Sequence, residues 1–252
     1  MRTKIISIYN NKGGVGKTTT TKYLTEHLTR QGKKVLLIDM DPQANLSRNF
    51  LGEAYNPYDN DLSVYNLLLD EKLMIEDIKR VIDANLDIIP SNDKHTESNN
   101  EMLQQAIRKN PATRLSSKLR NNSDYDYILI DSAPTKDLLA TNSLTASDEV
   151  FIPISMDKYA IDGVQGVLSL IQNVKSEFNN SLKIAGIFLN AGKTGEMYDN
   201  LHAELLKELP GVVLTNKVAN YVAINKETFN IDTKENKGKE QFIEVFKEVD
   251  YV

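Results

Sequence analysis

Residues 12–19 read KGGVGKTT. Gly13, Gly14 and Gly16 let a backbone turn tightly and approach a ligand without Cβ clashes. The lysine and threonines that follow open a helical stretch, and a helix N-terminus attracts anions. The chemistry implied is phosphate binding. Main-chain N–H groups of the loop point inward, Lys17 reaches the β/γ-phosphates of a nucleotide, and the Thr18 hydroxyl ligates Mg²⁺. The general pattern G-x-x-x-x-G-K-[ST] is not met strictly, since its first glycine position is Asn11. Lys12 instead begins a tighter form, K-G-G-x-G-K-T. One lysine serves the loop's own nucleotide, and an extra one at the loop start is placed to reach a phosphate held by a facing subunit. Asn11, Lys12, Gly13, Gly14, Val15, Gly16, Lys17, Thr18 and Thr19 form the expected nucleotide-binding run.

Two further groups could complete such a site. Asp39 and Asp41 stand in IDMDPQAN, and Asp131 ends YILID. In a parallel sheet the C-terminal ends of strands share one edge with the phosphate loop. Asp131, after four apolar or aromatic residues, is the expected Mg²⁺ acid. Asp41 is the candidate to orient an attacking water, and Asp39 to support the metal shell. No histidine is placed as a base, and phosphoryl transfer does not demand one. The expected catalytic set is Lys12, Lys17 and Asp41; the expected metal set is Thr18, Asp39 and Asp131.

The elements needed to position these residues are readable. Lys4–Tyr9 is a β-branched run and a strand. Lys17–Gln31 carries Tyr23, Leu24 and Leu28 at helical spacing and stops at Gly32. Val35–Asp39 is a continuous apolar run, as in a strand buried on both faces. Residues 52–80 read as a loop and short helices, with Ser63 a candidate N-cap. Residues 86–89 form a strand stopped by Pro90, and 93–121 are polar and helix-prone with a break at Pro111. Strands at 127–131, 150–154, 184–189 and 212–214 alternate with helices at 138–146, 161–173 and 196–208. Residues 239–249 make an amphipathic helix whose polar face is acidic, with Glu240, Glu244 and Glu248. The alternation predicts an α/β fold, a doubly wound, mainly parallel sheet, as one domain over residues 1–252.

The composition narrows the function. Without cysteine, disulfides, thiolate metal sites, iron–sulfur clusters and Cys nucleophiles are excluded. Three histidines, His27, His95 and His202, are too scattered for a zinc site. No apolar stretch approaches a membrane span, and the N-terminus lacks a signal-peptide core, so a cytoplasmic protein is expected. A net charge of -5 gives no bulk argument for nucleic-acid binding.

KGGVGKTTT, VLLIDMDPQAN and YDYILIDSAP together resemble the ParA/MinD family of deviant Walker A ATPases. The likeness continues through NSLTASDEVFIPI and YAIDGVQGV, covers most of residues 3–190, and is greatest with ParA, the DNA-partitioning member. The resemblance implies ATP and Mg²⁺ as cofactors and an ATP-driven sandwich homodimer in which Lys12 contacts the other subunit's nucleotide. It further implies non-specific DNA binding, and slow hydrolysis stimulated by a ParB-like centromere-binding partner. Asn190 resembles the position that touches adenine. The chain starts at the first strand, so it is expected to be the short form without an N-terminal helix-turn-helix, nucleoid-associated when ATP-bound.

The sequence also departs from the family. DNA binding there leans on basic residues, often arginines, in the C-terminal third, whereas no arginine follows Arg120. Lys193, Lys217 and Lys226 are candidate substitutes, since lysine neutralises phosphates as a point charge. The alternative reading is a MinD-like or protein-cargo-positioning ATPase that does not bind DNA. A MinD-type membrane helix should be basic, and the acidic C-terminal helix opposes it.

Overall fold

The protein is described by a computed structural model. It covers residues 2–52, 55–59, 62–94, 100–102, 104, 110–120, 122–155, 160–190, 195–218 and 237–251. Among the described residues seven strands form one sheet: β1 (Lys4–Ile8), β2 (Val35–Asp39), β3 (Arg80–Asp83), β4 (Leu86–Ile89), β5 (Tyr127–Asp131), β6 (Glu149–Ile154) and β7 (Lys183–Leu189). Their spatial order is β3-β4-β2-β5-β1-β6-β7, and every pairing is parallel except β3 with β4. All five residues of β2 are buried, as an apolar run covered on both faces should be. Register fixes the functional edge: Asp39 pairs with Asp131, and Asp131 pairs with Ile8. The phosphate loop therefore leaves β1 level with both acids.

Helix α1 (Lys17–Arg30) follows the loop. It carries a threonine run that intrinsic propensity disfavours. Thr20, Thr21, Thr25 and Thr29 turn their hydroxyls onto carbonyls four residues back, so these polar groups are satisfied inside the helix. The short helices α2 (Asn45–Leu51), α3 (Val64–Leu69) and α4 (Ile75–Ile78) come next, and Ser63 caps α3 in a capping box. A 3₁₀ turn at Pro111–Thr113 leads into α5 (Arg114–Leu119). Helices α6 (Leu138–Ala146), α7 (Ala160–Glu177) and α8 (Glu196–Glu208) alternate with β6 and β7. Val164, Val167, Ile171 and Val174 form the buried stripe of α7.

The C-terminal helix α9 (Lys237–Glu248) lies on α1. Phe242, Val245 and Phe246 are fully buried, and Phe242 stacks on Tyr23 with ring centroids 4.9 Å apart. The Lys239 ammonium meets Glu26 of α1 at 2.8 Å, and Tyr251 donates to Glu149 at 2.7 Å. The apolar face of this helix is thus taken up by the core.

Three expectations need correction. The strand expected at 212–214 is only an isolated parallel bridge, Ile187 with Val213, and the next bridge, Asn190 with Val218, is isolated too, so no continuous ladder forms there among the described residues. β3 is an added antiparallel edge strand, folded back on β4 with a register shift between Val81 and Asp83. Its half-exposed RVID segment lacks the continuous apolar run that marks the other strands. The helix expected at 161–173 runs longer, over Ala160–Glu177.

Candidate functional site

The loop is fastened at its start by Asn10. Its side-chain oxygen accepts from the Lys12 N–H at 2.9 Å, and its amide donates to the Pro153 carbonyl at 2.9 Å. Gly14 and Gly16 have φ of 74° and 91°, where side chains are strained, so the glycine requirement there is conformational. Lys17 is 6% exposed and its ammonium donates to the Lys12 carbonyl at 3.0 Å, while the Lys12 residue itself is exposed. Burial lowers the pKa of Lys17, and Asp131 and then Asp41 pull it back up.

Asp39 and Asp131 stand level at the ends of adjacent strands, and Asp41 follows two residues after Asp39. Asp131 is 1% exposed and Asp39 fully buried, while Asp41 lies at the rim of the same edge at 8%. Burial first, then the charge of Asp39, raises the pKa of Asp131 well above the carboxylate range. The Thr18 hydroxyl and Lys17 oppose that rise. The hydroxyl stands beside the carboxylate without meeting hydrogen-bond geometry, so neither Asp131 oxygen has a partner. Asp39 is pushed up to about 7, chiefly by burial, against hydrogen bonds from Ser47 and Asp41.

Seven buried side-chain polar atoms lack partners among the described residues, and five belong to Asn11, Asp131, Ser132 and Asn190. Asn11 opens the phosphate loop, Asp131 and Ser132 end β5, and Asn190 follows β7. Asn190 donates to the Val15 carbonyl of the loop at 2.9 Å, leaving its Oδ1 unpaired. A buried polar atom left unpaired is destabilising. Their concentration at one sheet edge fits a polar ligand carrying both donors and charge. No cluster of three or more His, Asp or Glu forms a metal cage among the described residues. Thr18 with Asp131 suits Mg²⁺ instead, which keeps waters and takes phosphate oxygens as ligands.

Of the three lysines expected to bind DNA, Lys217 lies among the described residues. The Lys217 ammonium is ion-paired with Asp199 and sits 4.5 Å from the Tyr198 ring centroid. Lys193 and Lys226 lie outside the described residues. The sequence reading missed Asn10, although an Asn two residues before an expected loop lysine signals an Asx turn. It also missed Ser47, Ser91 and Tyr65, which contact Asp39 or one another from separate segments and have no motif. No helix among the described residues is long and apolar enough to cross a membrane.

A family described as an AAA domain matches residues 3–184. The sporulation initiation inhibitor protein Soj of Bacillus subtilis is 39% identical over 186 residues, covering 74% of this chain and 72% of Soj. The chromosome partitioning protein ParA of Caulobacter vibrioides is 33% identical over 196 residues, covering 78% of this chain and 70% of its own. A solved putative plasmid partition protein from Borrelia burgdorferi, bound to AMPPNP, superposes with a TM-score of 0.79 at 27% identity, covering 98% and 99% of the two chains. With its deviant phosphate loop, its two level strand-end acids and these relatives, the chain belongs to the ParA/MinD family of P-loop ATPases.

Proposed function

We propose that the protein is a partition ATPase that hydrolyses ATP with Mg²⁺ and cycles between an ATP-bound homodimer and a released form. The observation that carries the nucleotide part is the set of five unpaired buried polar atoms around Asn11, Asp131, Ser132 and Asn190. Loop N–H groups and the Lys17 ammonium bind the phosphates. Thr18 and Asp131 hold the metal, which when bound neutralises charge on the phosphoryl oxygens. Asp41 orients the attacking water. The loop-start residue Lys12 reaches the facing subunit's nucleotide, and the unpaired Oδ1 of Asn190 faces the base.

The partition part is carried over from Caulobacter ParA and the Borrelia protein. On this reading the ATP dimer binds DNA without sequence preference, through lysines such as Lys193, Lys217 and Lys226. A ParB-like partner then stimulates its slow hydrolysis. The burial of α9 in the core supports this reading over a membrane-cycling one, because its apolar face is not available to lipid.

The test is binding to random-sequence duplex DNA with ATP, with ADP and without nucleotide, across a salt series. Binding only with ATP, weakening steeply with salt, supports the partition cycle. ATP-dependent dimerisation without DNA binding moves the function to a protein cargo.

A further inference from the structure

The carboxylate of Asp39 is already engaged by the chain. Its Oδ2 accepts from the Ser47 N–H at 2.8 Å and from the Ser47 hydroxyl at 2.7 Å, and its Oδ1 accepts from the Asp41 N–H at 3.1 Å. The pin extends beyond these two residues. The Ser91 N–H donates to the Ser47 hydroxyl oxygen at 3.0 Å, the Ser91 hydroxyl donates to the Tyr65 phenol at 3.1 Å, and that phenol donates to the Met40 carbonyl at 3.1 Å. The chain of bonds leaves the β2 end at Asp39 and returns to it at Met40. Asp39, Ser47 and Ser91 are fully buried, and Tyr65 is 1% exposed.

This circuit encloses a strained turn. The Gln43 N–H donates to the Asp41 carboxylate at 2.9 Å and the Ala44 N–H to the Asp41 carbonyl at 2.8 Å. Ala44, fully buried, sits at φ 51° and ψ 35°, in the left-handed region that a side chain disfavours. Strain of that kind persists only where the surroundings over-determine it. Ser47, one turn into α2 and bonded to Asp39 through both its N–H and its hydroxyl, is the residue that ties the turn's far side to the sheet.

We propose that Ser47 is a positioning residue for the nucleotide reaction. It pins Asp39, Asp39 fixes the main chain of Asp41, and the Asp41 carboxylate is thereby aimed. Asp131, with both oxygens unpaired, is the acid that meets the metal directly, while Asp39 acts through the turn. The inference rests on the ATPase reading above and refines the part assigned to Asp39.

The test compares Ser47→Ala, Ser47→Thr and Asp131→Asn. It measures binding of a fluorescent ATP analogue over a Mg²⁺ titration, steady-state hydrolysis of ATP, and deuterium uptake of peptides spanning 40–48. Ser47→Ala is expected to bind nucleotide and Mg²⁺ within about twofold of the parent, while kcat falls about tenfold, as for a lost hydrogen bond to a charged group. Uptake over 40–48 should rise with or without nucleotide, and threonine, which keeps the hydroxyl, should restore both readings. Parental kcat and uptake in Ser47→Ala would overturn the proposal. So would a loss of Mg²⁺ affinity matching Asp131→Asn, since Asp39 would then be a direct ligand. If the parent protein binds no ATP analogue, the ATPase reading fails, whereas the uptake comparison still decides whether Ser47 pins the turn.

Discussion

The Lys17 ammonium donates to the main-chain carbonyl of Lys12 at 3.0 Å, so the two signature lysines meet through backbone rather than side chain. Lys17 is buried at the helix mouth between the charges of Asp131 and Asp41, and the Lys12 residue is exposed at the loop start. Their substitutions should therefore separate. Lys17→Ala is expected to weaken ATP affinity in the monomer about 100-fold, since a charge-assisted phosphate contact is removed. Lys12→Ala should keep monomer binding within about threefold and lose ATP-dependent dimerisation, if its ammonium serves only the facing subunit. Equilibrium binding beside light scattering separates the two, and an unchanged dimer in Lys12→Ala removes the cross-subunit role.

Asp41 invites a different substitution. Its carboxylate accepts from the Gln43 N–H at 2.9 Å and sits at the rim of the site, 8% exposed. A group that orients water but holds no phosphate should matter for turnover more than for binding. Asp41→Ala is expected to bind ATP and dimerise, then hydrolyse about 100-fold more slowly or worse, leaving an ATP-trapped dimer. Single-turnover hydrolysis at the parental rate would take Asp41 out of the mechanism.

Asp131 sets a pH dependence. Its folded-state pKa lies above its unfolded value of 3.8, so the native chain binds that proton more tightly than the unfolded chain does. The group therefore weakens folding progressively as pH rises from about 4 through its folded-state pKa. Asp131→Asn removes that charge. Without metal or nucleotide the variant should melt above the parent at pH 8, by an amount equivalent to about 1–3 kcal/mol, and the gap should close as pH falls toward 4. The same variant should lose the stabilisation that Mg²⁺ with ADP gives the parent. A parent that melts above the variant at pH 8 without ligand would mean that Asp131 is satisfied as it stands.

The phosphate loop and Asp131 were legible in the sequence because each is a short local pattern placed by a strand. VLLID and YILID announce themselves by apolar runs, and their register levels Asp39 with Asp131. Local patterning cannot report partners brought together by tertiary contacts. Ser47 reaches Asp39 from α2, and Ser91 reaches Ser47 across 44 positions, so neither pairing leaves a trace in spacing. The β3 edge strand was missed for the opposite reason. Its four residues alternate half-buried and exposed, and Val81 is 72% exposed, which looks like loop. The 212–214 segment is apolar enough for a strand, but only Val213 bridges to β7.

The C-terminal helix carries the last prediction, because its amphipathic pattern fits two opposed roles. A membrane-surface helix keeps its apolar face free of the fold, and its removal costs localisation alone. Here Phe242 is fully buried, stacks on Tyr23 of α1 at 4.9 Å, and meets Phe188 of β7 and Phe246 at ring-centroid distances of 6.1 and 5.9 Å. Truncating such a side chain leaves a cavity that rigid strands and α1 cannot close, at a cost of about 3–5 kcal/mol. For a chain of this size that corresponds to a fall in Tm of roughly 10 °C. Phe242→Ala should therefore destabilise the whole ATPase unit and, through α1, weaken nucleotide binding. Glu240→Gln, on the polar side of the same helix, should shift Tm by less than about 2 °C. Thermal melts of both variants decide the matter. A Phe242→Ala protein that melts with the parent would mean that α9 detaches in solution, and would reopen a lipid-facing or partner-facing role for it.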